Sequence, residues 1–64
     1  MEVITIRPMT EDDLDAVLAI EKASFPSPWG RILFSGELNS AHSFPMVARN
    51  SEGIVVGYIC PMLV

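Results

Sequence analysis

The sequence predicts a small α+β fold, one sheet with two helices, and three observations point to it. Two stretches in the second half are rich in β-branched and aromatic residues and flank a four-residue turn containing glycine. A stretch beginning after Thr10 repeats its apolar residues at helical spacing. Between that stretch and a second, shorter helical pattern lies Phe25-Pro26-Ser27-Pro28-Trp29-Gly30, whose two prolines push Phe25 and Ser27 toward extended backbone and forbid a continuous helix.

Taken in order, residues 2–7 are β-branched-rich, end at a proline and predict a first strand. Thr10 followed by Asp13 is a helix-start signal, and Glu11, Asp12 and Asp13 complement the positive end of the helix dipole. Leu14, Val17, Leu18 and Glu21 then share one face, with Ala16, Ile20 and Ala23 beside it, over about 13 residues. The carboxylates Asp12, Asp13, Asp15 and Glu21 read as a solvated face and dipole partners rather than a catalytic pair. Phe25 and Trp29 have two readings. They plug the core between the helices, or a stiff loop presents them to a peptide or ligand at low entropy cost.

Residues 31–38 carry Ile32, Leu33, Phe34 and Leu38 in a second helical pattern, weakened at Gly36. Residues 39–43 form a polar connector, in which His42 is a surface residue. Residues 44–49 and 54–60 are strands of an antiparallel hairpin, with Gly53 placed where the turn requires positive φ. Gly57 suggests a bulge or a close backbone approach, and Pro61 should interrupt the strand. The predicted order is β1-α1-α2-β2-β3 in a mixed sheet with an antiparallel β2-β3 hairpin. The last strand is apolar on both faces and continues to Val64, a pattern that belongs inside a sheet.

Sixty-four residues allow one small domain. Folding removes about 6,000 Å² from water, on the order of 90 kcal/mol at ~25 cal/mol per Å² for the ~60% that is apolar. Ordering the chain costs on the order of 95 kcal/mol at ~1.5 kcal/mol per residue, so the monomer is marginal. Cys60 is the sole cysteine and His42 the sole histidine, which excludes an internal disulfide and leaves no spacing for a zinc site. Cys60 has no recognisable activating partner and reads as an inert thiol. The net charge is −4 and the four basic residues are scattered, arguing against a nucleic-acid partner. The run from Ile54 to Val64, 11 residues, is too short to span a bilayer. Met1-Glu2 does not open a signal peptide, so a cytoplasmic location is expected.

The residues from Ile4 to Leu14 resemble the start of a GNAT-superfamily acetyltransferase. Ile20 to Trp29, with Phe34, Glu37-Leu38 and Val56-Gly57-Tyr58-Ile59, narrows the resemblance to the ribosomal-protein-alanine N-acetyltransferase (RimI) family. The resemblance covers essentially the whole chain, and the Ser-Phe-Pro-x-x-Trp segment is its most specific part. It implies acetyl transfer from acetyl-CoA to the N-terminal α-amino group of a ribosomal protein. It also implies that Phe25, Pro26 and Trp29 form one wall of the substrate-peptide groove. The family's Arg/Gln-x-x-Gly-x-Gly/Ala loop, which holds the CoA pyrophosphate at a helix start, has no counterpart here. Neither have its general base and its tyrosine acid, and Pro61 stands where an aromatic usually continues the strand. The expectation is therefore the N-terminal portion of a GNAT domain, without the acetyl-CoA-binding half, inactive on its own and binding no acetyl-CoA. The rival expectation is a self-associating module, a homo-oligomer pairing through the strand at Ile54–Val64 without catalysis.

Overall fold

A computed structural model describes residues 2–62. Its order is β1 (Thr5–Pro8), a 3₁₀ turn (Glu11–Asp13), α1 (Leu14–Ser24), α2 (Arg31–Leu38), β2 (Met46–Arg49) and β3 (Val55–Ile59). The α+β fold and the element order match the expectation. The sheet does not: β1-β2-β3 are adjacent in that order and both ladders are antiparallel, so among the described residues it is antiparallel rather than mixed. The two helices form one long connection that returns β2 alongside β1 in the opposite direction.

Local chemistry sets the element boundaries. The Asp13 carboxylate reaches back to the Thr10 N–H at 2.8 Å and accepts from its hydroxyl at 3.2 Å, fixing the entry to α1. The first turn is 3₁₀, and α proper starts at Leu14. Phe25 ends α1 in an extended conformation, φ −131° and ψ 140°, as the following proline requires, and its N–H still closes on the Glu21 carbonyl at 3.0 Å. Gly53 has φ +80°, the left-handed geometry expected of the hairpin turn. The Asn50 side chain buttresses that turn by accepting from the N–H groups of Glu52 and Ile54.

The strands are shorter than predicted. β1 begins at Thr5 because it has only the four residues of β2 to pair with. β2 begins at Met46 rather than Phe44, whose N–H instead donates to the Pro61 carbonyl at 2.9 Å. The register shift lies between Ala48 and Arg49, leaving Val56 as the extra residue beside Gly57. Gly57 makes no close approach, because a Cβ there would meet nothing within 4 Å. Pro61 ends the regular ladder, and one bridge, Ser43 to Met62, follows it. The rest of the predicted apolar run, Leu63 and Val64, lies outside the described residues.

Met9, Leu14, Val17, Phe34 and Val47 form the buried core, with Leu18, Leu38, Val55, Tyr58 and Cys60 packed around it. Helix α1 lies over β3 and against α2. Strand alternation sends Val47 and Tyr58 toward the helices. It sends Ile6 and Ile59, each 60% exposed, to the other face. The carboxylates do not form one solvated face as expected. Asp12 and Asp15 are exposed, whereas Asp13 and Glu21 are buried. Asp13 pairs with the Arg49 guanidinium on β2, which supplies the charge partner its burial demands.

Candidate functional site

Glu21 stands one turn before the end of α1, on the apolar face with Leu14 and Val17, and is only 7% exposed. A carboxylate in that position needs hydrogen-bond donors. It finds two: Oε2 accepts the Trp29 backbone N–H at 3.0 Å, and Oε1 accepts the Tyr58 hydroxyl. One side chain thereby ties α1, the proline loop and β3 together.

Around this tie lies a groove of about 730 Å³. Phe25, Pro26 and Trp29 stand on its loop side, Ile20 and Glu21 on its helix side, and Gly57, Tyr58 and Cys60 on its strand side. The three residues predicted to face a peptide therefore share one concave surface. Phe25 is 53% exposed and Trp29 41%, so neither plugs the core between the helices. Phe34 does that, at 1% exposure. Trp29 packs on Phe34 with centroids 5.4 Å apart, and Phe34 meets Tyr58 edge-on at 5.7 Å. The aromatic row stiffens the wall from behind and leaves one surface of the indole open to the groove.

The groove's titratable groups are held in protonated or paired states. Burial first, then the Glu21 carboxylate, pushes the Tyr58 phenol up to about 12, so it is a donor at neutral pH. Burial and the nearby Glu37 and Glu21 charges push the Cys60 thiol up, which keeps it out of the reactive thiolate form. The expected inert thiol is thus half-buried, in the groove wall. His42 lies in the exposed connector, away from the groove lining. Among the described residues no cluster of His, Cys, Asp and Glu could hold a metal ion, and no helix is long and apolar enough to cross a membrane.

The groove's polar side chains are the Glu21 carboxylate, the Tyr58 phenol, the Cys60 thiol, the Ser24 and Ser27 hydroxyls and the Trp29 indole N–H, with no cationic side chain among them. Of the four glycines only Gly30 precedes a helix, and no second glycine accompanies it in a phosphate-cradling loop. The arrangement can bind an extended, partly apolar chain and offer it a buried anion.

Sequence reasoning missed Glu21 and Tyr58 as parts of this site. For Glu21 a signal was present: one acid on an otherwise apolar helix face, four residues beyond Val17. For Tyr58 none was present, because its partner is 37 residues away in sequence. Compared with models of known families, with characterised proteins and with solved structures, the chain matches none.

Proposed function

We propose that this chain is the peptide-facing part of a RimI-like N-acetyltransferase domain, the groove receiving the free N-terminal segment of a ribosomal protein. One observation carries the reading. The Phe25-Pro26 and Trp29 loop is held out of the core as a groove wall by a buried carboxylate, Glu21. The order of strands and helices is compatible with the first half of that fold.

The chain's residues bind and orient. Phe25, Pro26 and Trp29 take the apolar part of the first peptide residues and shed water from them. Glu21 spends one lone pair of each oxygen on Trp29 and Tyr58 and retains acceptor capacity for an ammonium group. In the family acetyl-CoA supplies the acyl group. No transfer step is assigned to this chain. The reading places the chain in the cytoplasm, where ribosomal proteins are made.

Trp29 is the only tryptophan, so its emission reports on the groove alone. Titration with a peptide bearing a free α-amine should change that emission saturably, and the same peptide N-acetylated should not. Tritiated acetyl transfer to the free peptide should be absent. Equal responses to the two peptides would remove the ammonium-reading role, and turnover would overturn the reading of this chain as the peptide-facing part alone.

A further inference from the structure

We infer that the hollow between β1 and the β2-β3 turn is a binding site for a phosphate group, carried by a small molecule or free in solution. The hollow measures about 250 Å³. Thr5 and Arg7 line it from β1, Arg49 from β2, and Asn50, Ser51 and Gly53 from the turn. It shares no residue with the peptide groove, so it goes beyond the proposed function and stands or falls apart from it.

The basic residues are scattered in sequence, but the fold brings two of them together. The register sets Arg49 opposite Thr5, and Arg7 lies two residues along β1 on the same face. The two arginines are therefore diagonal neighbours, within reach of long side chains. The chain carries a net charge of −4, yet no carboxylate lines this hollow. The nearest acids in sequence, Glu2 and Glu52, are exposed and stand outside the lining. Among the described residues Asp13 is the one acid paired with either arginine, and it pairs with Arg49 alone. Arg7 keeps an uncompensated charge. Arg49 keeps unspent donors, since its Nε is buried with no acceptor among the described residues. Two neighbouring guanidinium groups that share one carboxylate leave a positive charge that an anion offsets.

The other polar side chains of the hollow can donate as well. Asn50 Oδ1 is spent on the N–H groups of Glu52 and Ile54, which leaves the Asn50 amide N–H groups to donate. Thr5 and Ser51 add hydroxyls from opposite sides. An ionised oxyanion only accepts, so it complements this set, whereas a cation finds no carboxylate. The donors come from β1, β2 and the turn. A tetrahedral phosphate presents oxygens in all three directions, and a planar carboxylate does not. The volume is below the roughly 300–1,000 Å³ of pockets for drug-sized ligands, so the hollow takes the anionic group and little beyond it. β1 is the edge of the sheet opposite β3, so a further strand beside β3 leaves Arg7 uncovered.

Titration of the isotopically labelled chain with inorganic phosphate at constant ionic strength, followed by amide chemical shifts, tests the assignment. Shifts should saturate at millimolar concentration and centre on residues 5–7 and 49–53, with Trp29 emission unchanged. Methyl phosphate binding at least as tightly assigns a monoester, and weaker binding assigns the free ion; both keep the site. Arg7→Gln removes an exposed side chain without an ion pair among the described residues, and should weaken phosphate by about tenfold or more. Arg31→Gln, which removes an arginine paired with Asp15 on the helices, should leave binding unchanged. Should Arg7→Gln not fold, Ser51→Asp decides, because it sets a carboxylate in the lining at an exposed turn position and should abolish binding. No saturable shift in the wild type overturns the proposal, as does equal loss in Arg7→Gln and Arg31→Gln, or phosphate binding retained in Ser51→Asp. Acetate binding as tightly as phosphate overturns the tetrahedral assignment.

Discussion

Glu21 and Asp13 show how single carboxylates hold this small molecule together, and each makes a prediction with its own pH sign. Glu21→Ala removes the acceptor for both Trp29 and Tyr58. Hydrogen bonds to a charged group are worth about 1.5–3 kcal/mol each, so urea denaturation should show a loss of about 3 kcal/mol or more, together with red-shifted Trp29 emission. Tyr58 is the only tyrosine, so phenolate absorbance follows it alone. Its midpoint should lie near 12, and Glu21→Gln should lower it only in part, because burial is the larger cause. The folded state holds that proton more tightly than the unfolded chain does. The stabilisation is therefore complete below about pH 10 and is lost as pH rises toward about 12. Asp13 behaves in the opposite sense. Burial pushes its carboxyl up, but bonds from the Thr10 backbone and the Arg49 guanidinium outweigh burial and hold it below 3.8. Its contribution is present above the ordinary carboxylate value and is lost as pH falls from there through its own lowered value, so Asp13→Asn should flatten the acid limb of a stability–pH profile.

At the scale of elements, two glycines give opposite predictions for the same substitution. Gly53 occupies the hairpin turn at φ +80°, where a side chain is strained whatever the space around it. Gly53→Ala should cost about 1 kcal/mol or more. Gly36 sits in α2 with nothing within 4 Å of an added Cβ, so Gly36→Ala should stabilise by about 0.5–1 kcal/mol. Chemical denaturation of the two variants checks both signs. The hairpin turn and the span of α2 were legible because neighbours in sequence specify them: positive φ at a glycine, a proline loop before the helix and a polar connector after it. Strand ends were not, because the length of the partner sets them. Residues 2–4 have strand propensity but no opposing residues in β2. Phe25, Pro26 and Trp29 were legible as a group because prolines fix a loop locally. Their exposure was not, because it follows from Phe34 occupying the core in their place.

For the whole molecule, the deciding fact is how little is buried. Among the described residues five apolar side chains form the core, while Ile6, Ile32, Ile54, Ile59 and Met62 are each more than half exposed. Removing Phe34, the largest of the five, forfeits about 3–5 kcal/mol. A chain whose burial and entropy terms nearly cancel does not have that much to lose, so Phe34→Ala should be unfolded at room temperature by circular dichroism.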